Sequence, residues 1–178
     1  PQRRFSADRP PPSEAARTAM AAEDGSSDEE RSRVLAAVQS DGCALRHASK
    51  AMRSDREIVL EAVRQDGSAL QYACDALRSD RGFVLDAVLL DANALQHAAT
   101  ELTADRELVL AAIEQDGLFL QDAAPELRAD REVVLAAVQQ TWDALSYASE
   151  ELKADRKVVI AAMHKLRRAR VRFVSHSL

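Results

Sequence analysis

Five acid-base pairs stand out along the chain. Asp55-Arg56, Asp80-Arg81, Asp105-Arg106, Asp130-Arg131 and Asp155-Arg156 follow one another at a constant step of 25 residues. Such a pair is either a working site copied five times or punctuation that tells the chain where to start a helix. Catalysis finds no support in the rest of the sequence. There is no Gly-rich phosphate loop, no HExxH, no CxxC, and no Ser, His and acid set at a usable spacing. His47 and His97 lie two steps apart, about 20 Å if helices stack at about 10 Å, so they cannot share a metal. Cys43 and Cys74 fall at different places in the repeat and lack metal-ligand spacing. The expectation is a protein with no catalytic residues, no metal and no cofactor.

The aspartates have a structural explanation. Asp55, Asp80, Asp105, Asp130 and Asp155 each directly precede an aliphatic run. There a carboxylate caps otherwise unpaired backbone N-H groups, at about 0.5 to 2 kcal/mol per cap. The arginines need more, because a cation in the first turn faces the positive end of the helix dipole and costs a few tenths of a kcal/mol. Two offsets are open: a ladder in which each Arg pairs with the cap Asp of its own or the adjacent unit, or a stripe of guanidiniums offered to an acidic partner. Periodic features of stacked repeats serve stacking first.

The elements that position these pairs repeat with them. VLAAV (34 to 38) returns as VLEAV, VLDAV, VLAAI, VLAAV and VIAAM. ALRHA (44 to 48) returns as ALQYA, ALQHA, FLQDA and ALSYA, each followed by one large aliphatic, Met52, Leu77, Leu102, Leu127 or Leu152. Val59, Ala62, Val63 and Asp66 keep the helical period, as do Leu70, Ala73 and Leu77. Gly42, Gly67 or Gly117 sits between the halves, where a helix end favours a residue that tolerates positive φ. Each unit therefore reads as two short helices. Pro125 predicts that the second helix of its unit stops near residue 124, followed by a tight turn whose Leu plugs the core. A 25-residue pair cannot bury its own apolar faces, whereas stacked pairs can. The fold expected is all-α, an α-solenoid of about 11 helices with polar surfaces capping its ends. Its domains are an extended or disordered N-terminal tail (1–27), a helical-repeat domain of five full repeats plus a final helix (28–163), and a basic C-terminal helix extension and tail (164–178).

The blocks DRxVVLxAV and ALxxAS resemble a family of short tandem helical repeats known as a domain of unknown function. The resemblance runs over about residues 30–163. It implies the fold and no activity, and at most a binding scaffold. This chain departs from the pattern at Glu30-Arg31, at Ala92 and Trp142 where Gly is usual, and at Pro125.

Candidate contacts are sought where the copies disagree. The fourth place of the second block holds His47, Tyr72, His97, Asp122 and Tyr147, at the margin of the apolar arc. These side chains should form a half-exposed ridge, either a recognition surface or ordinary packing between repeats. Trp142 replaces the usual Gly at an interhelix turn, where it is either a hot spot for a partner or folded over its own helix end. Leu89 and Leu90 replace polar residues, and Leu90 lies seven residues beyond Phe83. Those two either form an apolar patch for a partner or add packing onto a neighbouring helix.

Charge divides the chain in three: net zero over 1–27, −10 over 28–163 and +5 over 164–178. An acidic stack argues against a nucleic-acid cradle. Lys165, Arg167, Arg168, Arg170 and Arg172 either complement the helix dipole or supply an electrostatic contact for RNA, an anionic membrane surface or an acidic protein. No apolar run reaches the roughly 20 residues of a membrane span. Arg3, Arg4, Arg9 and Arg17 against Asp8 and Glu14 make the first 20 residues similar to an organelle transit segment. Cys43 and Cys74 read as reduced thiols, which points to a reducing intracellular compartment, the cytosol or an organelle interior. The leading expectation is a noncatalytic scaffold binding a protein partner. A structural accessory subunit of a larger, organellar assembly is the alternative, and RNA or anionic-surface binding by the basic tail is a third.

Overall fold

A computed structural model describes the backbone of residues 27–175 and the side chains of residues 28–165. Residues 1–26 of the expected tail, and the side chains of Arg167, Arg168, Arg170 and Arg172, lie outside the described residues. Helices alone make up the regular structure among them. The aliphatic runs form α1 (Ser27–Ser40), α2 (Arg56–Gln65), α3 (Arg81–Leu90), α4 (Arg106–Gln115), α5 (Arg131–Gln140) and α6 (Arg156–Ser175). A six-residue 3₁₀ helix follows each of the first five: Gly42–His47, Gly67–Tyr72, Ala92–His97, Gly117–Asp122 and Trp142–Tyr147. Short helical turns then return the chain to the next unit, at Met52–Ser54, Asp75–Arg78, Thr100–Ala104, Pro125–Arg128 and Glu150–Lys153.

The second half of each unit is thus two helical pieces instead of one, which raises the count above the eleven expected. Its physical reason lies in a three-residue period that the Ala and Leu spacing also permits. In Gly67–Tyr72 the bonds are Ala69 N-H to Asp66 O (2.8 Å) and Ala73 N-H to Leu70 O (3.1 Å), and Gly67, Leu70 and Ala73 all face inward. Ala73 then turns extended (φ −64°, ψ 159°) and ends the helix. At Pro125 the sequence expectation holds: the helix ends at Asp122, Pro125 opens a new four-residue turn, and Leu127 is buried.

The long helices pack on one another in chain order, and so do the 3₁₀ helices, which makes the molecule an all-α solenoid of two layers. Its core lies between the layers. Ile58, Val59, Ala62 and Val63 from α2 meet Ala69 and Leu70 from the 3₁₀ layer, all at 0% exposure; the next unit repeats the whole set, and α4 and α5 repeat the helix positions while Phe119 and Leu145 in their 3₁₀ helices are half-buried. Burying a Val, Leu or Ile side chain fully stabilises by about 1.5 to 3 kcal/mol, so the aliphatic positions dominate stability.

Main-chain bonds tie successive units directly. Cys74 N-H donates to Arg53 O (3.0 Å), Ala99 to Arg78 O (2.9 Å), Ala124 to Thr103 O (2.9 Å) and Ser149 to Arg128 O (2.9 Å). Gly42, Gly67 and Gly117 serve the same close stacking, and this corrects the reading from sequence: among the described residues no glycine has positive φ. A Cβ at Gly42 would stand 2.3 Å from Ala62 O, and one at Gly117 2.2 Å from Ala137 O. Glycine is there because the next unit's helix end abuts it. Where Ala92 replaces it, the Gln115 amide spans the junction, accepting from Ala92 N-H (3.1 Å) and donating to Val88 O (2.5 Å).

The N-terminal end of the stack is polar. Arg33 occupies the place held by Ile58, Phe83, Leu108, Val133 and Val158, and it is exposed and paired with Glu29 (3.4 Å). At the other end α6 runs through residue 164 without a break.

Candidate recognition surface

Along one edge of the stack lie the helix starts. Asp55 Oδ1 accepts from the N-H groups of Glu57 (2.9 Å) and Ile58 (3.3 Å); Asp105, Asp130 and Asp155 repeat this, and Asp80 accepts from Phe83 N-H (2.9 Å). The second carboxylate oxygen faces backwards to the preceding unit. Arg31 reaches Asp55 (3.1 Å) and Glu57, Arg56 reaches Asp80 (2.8 Å), and Arg81 reaches Asp105 (2.6 Å) and Glu107 (2.5 Å). Arg106 reaches Asp130 (3.7 Å) and Glu132 (2.5 Å), and Arg131 reaches Asp155 (3.3 Å). Arg56, Arg81, Arg106 and Arg131 therefore offset their unfavourable place in the first turn by bridging to the next unit's cap, and Arg31, one turn into α1, makes the same bridge. The pairs are largely exposed, so each rung is worth about 0.2 to 1 kcal/mol.

Titration follows from these contacts. The Arg81 guanidinium, with the N-H groups of Leu108 and Glu107, holds the Asp105 carboxyl below the usual range against the opposing effect of burial. Asp80 is lowered first by the Phe83 N-H and then by Arg56; Asp155 first by the Val158 N-H. Arg56 also lies over the Phe83 ring at 4.9 Å.

A second line of aspartates, which the sequence reading did not single out, caps the 3₁₀ helices. Asp41, Asp66, Asp91 and Asp116 accept from the N-H groups of Cys43, Ser68, Asn93 and Leu118 at 2.9 to 3.0 Å. They also cross between units: Cys43 Sγ donates to Asp66 (3.4 Å), Gly67 N-H to Asp91 (2.8 Å) and Thr141 Oγ1 to Asp116 (2.8 Å). Their signal was in the sequence, since this Asp also returns every 25 residues.

At the far end of the 3₁₀ helices lie the variable residues. Tyr72, His97, Asp122 and Tyr147 are the last residues of four successive, stacked helices, each half-buried, while His47 in the first unit is exposed. Burial and the nearby Arg78 charge push the His97 pKa down, which favours the neutral imidazole. Burial pushes the Asp122 carboxyl up, opposed by the amides of Gln96 and Gln121, and its Oδ2 is buried without a hydrogen-bond partner.

The remaining candidates separate from this line. Phe83 is fully buried in the core, so of the two readings of Phe83 with Leu90 the apolar patch is corrected and packing holds for Phe83. Its place in the sequence is that of Ile58, Leu108 and Val133, inward-facing in every unit. Leu89 (60% exposed) and Leu90 (40%) instead form an aliphatic pair at the end of α3, and Trp142 is 40% exposed at the start of its 3₁₀ helix, away from Tyr147. Lys165 is half-exposed on α6.

Among the described residues no group of His, Cys, Asp and Glu is placed to hold a metal ion, and no helix is long and apolar enough to cross a membrane. What the surface offers is a regular frame carrying side chains that differ from unit to unit. No curated protein and no solved structure matches the sequence. A family model does, described as a domain of unknown function (DUF4116), at residues 31–78, 80–128, 105–153 and 130–169. The first three matches each take in nearly two units, and together the four cover almost the whole described stack; the chain belongs to the DUF4116 family of tandem repeats.

Proposed function

We propose that the protein is a noncatalytic scaffold that recognises a protein partner through the ridge of Tyr72, His97, Asp122 and Tyr147. One observation carries this: the frame holds its core positions nearly constant from unit to unit, while the half-buried last place of the 3₁₀ helix changes among tyrosine, histidine and aspartate. Tyrosine offers a large contact area at low entropic cost, and a partly desolvated carboxyl gives a directional acceptor. The same reading puts the protein in a reducing intracellular compartment, where Cys43 and Cys74 remain thiols.

A second reading, a stationary subunit of a larger assembly, is favoured by the exposed Leu89, Leu90 and Trp142 away from the ridge. Affinity capture from the native source, with the wild-type chain beside a Tyr72→Ala/Tyr147→Ala variant, tests the ridge. The expected outcome is a discrete set of proteins lost by the variant at unchanged helicity. Retention of the whole set refutes the ridge, and its loss only with Leu90→Glu and Trp142→Ala supports the second reading.

A further inference from the structure

The last helix keeps the pattern of its predecessors but not their surroundings. Met163 stands where Val38, Val63, Val88, Ile113 and Val138 stand, each at 0% exposure, yet Met163 is 63% exposed. Ile160 is 42% exposed at the place of the half-buried Leu60, Leu85, Leu110 and Leu135. The cause is plain in the element order: α1 to α5 are each covered by the 3₁₀ helix of their own unit, and α6 continues as helix to Ser175 instead.

Charge at this end is one-sided. Arg156 holds the place of the five arginines that reach the next unit's Asp, three of them also its Glu, and no next unit follows it among the described residues. From residue 156 to 178 there are seven Lys and Arg and no Asp or Glu, whereas each of α1 to α5 carries at least one carboxylate. An exposed apolar pair on a helix that begins with the exposed Arg156 and Lys157 and has no carboxylate in its sequence calls for a partner with aliphatic and acidic side chains together. Three of the internal junctions show what such a partner looks like: a helix beginning Asp-x-Glu, at Asp55, Asp105 and Asp130, and continuing in aliphatics.

A second copy does not meet that description. The opposite end of the stack puts exposed Arg33, paired to Glu29, where an aliphatic would be required, and two copies of α6 face to face bring like charges together. We infer that the C-terminal end of the stack is a docking face for an acidic amphipathic helix of another protein, received by Ile160 and Met163 with Arg156 at its start. This deepens the scaffold reading and rests on it, but uses a different face from the ridge.

The test is fluorescence anisotropy of the full chain with a labelled, hydrocarbon-stapled helix carrying the sequence of residues 105–115, DRELVLAAIEQ. Saturable binding is expected, weakened about tenfold or more by Met163→Asp and by Arg156→Glu. The Arg156→Glu loss should be recovered by a probe whose acidic residue at the third position is replaced by lysine. Both substituted side chains are exposed, so circular dichroism should show unchanged folding. No saturation at about millimolar probe overturns the inference, as does binding that ignores both substitutions. Binding of phosphatidylserine vesicles that is lost with Met163→Asp, without binding of the probe, assigns the face to a lipid surface and overturns it as well. So does a dimer in light scattering that Met163→Asp dissociates. Tyr72→Ala/Tyr147→Ala should leave probe binding unchanged, so failure at the ridge and failure here are read separately.

Discussion

A methyl group added at residue 117 should damage the stack, and the same methyl at residue 82 should strengthen it. At Gly117 the new Cβ would lie 2.2 Å from Ala137 O and 3.0 Å from Thr141 N, all backbone of the next unit. Ordinary contact begins near 3.4 Å, so the two units must part by more than an ångström, and no flexible side chain is present to yield. Overpacking of a well-filled junction costs about 1 to 3 kcal/mol, and the lower entropy of alanine in the unfolded chain returns less than about 1 kcal/mol of it. At Gly82, in the first turn of α3, the nearest atom to a new Cβ is Asp80 Oδ1 at 3.5 Å. There the exchange to alanine gains about 0.5 to 1 kcal/mol. For a stack of this size a kcal/mol moves the melting temperature by about 2 to 4 °C. Gly117→Ala should therefore melt several degrees lower and Gly82→Ala one to a few degrees higher, followed by circular dichroism at the helix band. A Gly117→Ala protein as stable as wild type would refute the close-approach account of these glycines. So would an equal loss at both positions, which would indicate a backbone requirement instead.

Other consequences can be checked by similar means. Arg106→Gln removes the contacts to Asp130 and Glu132 and should cost about 0.5 to 1 kcal/mol, less in high salt; an unchanged melting temperature would count against the ladder. The caps Asp80, Asp105 and Asp155 have folded pKa values below the unfolded one, so their stabilisation is complete above about pH 5 and is lost as pH falls through about 4 and below. Asp105→Asn should accordingly be less stable than wild type at neutral pH and approach it in acid, in thermal melts across that range. The thiols should separate too: the hydrogen bond with Ser54 lowers the Cys74 pKa, whereas burial and then Asp66 raise that of Cys43. Peptide mapping after brief iodoacetamide treatment near pH 8 should find Cys74 alkylated first, and the reverse order would contradict these environments.

Much of the frame was legible in the sequence because it rests on local rules. The 25-residue return of Asp-Arg, the helical spacing of the aliphatics and the break at Pro125 are one-dimensional signals that the fold obeys. What was not legible depends on distances between units. Spacings such as Gly67, Leu70 and Ala73 suit a 3₁₀ helix as well as an α-helix, and only the three-residue hydrogen bonds, with the extended turn at Ala73 that ends them, decide between the two. Gly117 carries the same letter whether it is needed for its φ or for its missing Cβ. The partner of each Arg could be chosen only once the next unit's Asp and Glu were in place. Phe83 is a related case: its seven-residue spacing from Leu90 allowed a surface patch as well as packing, while its register with Ile58 and Leu108 put it inside.

The bonds from residues 74, 99, 124 and 149 to the carbonyls 21 positions earlier involve only the main chain. They read register and ignore identity. A side chain at almost any outward place can therefore be exchanged without unfastening one unit from the next, while a single inserted or deleted residue between the bonded positions would shift every later contact of that unit out of line. Duplication or loss of a whole unit keeps both ends of each bond in step. Such a chain can lengthen, shorten and diversify its surface in evolutionary time, but only in steps of one full repeat.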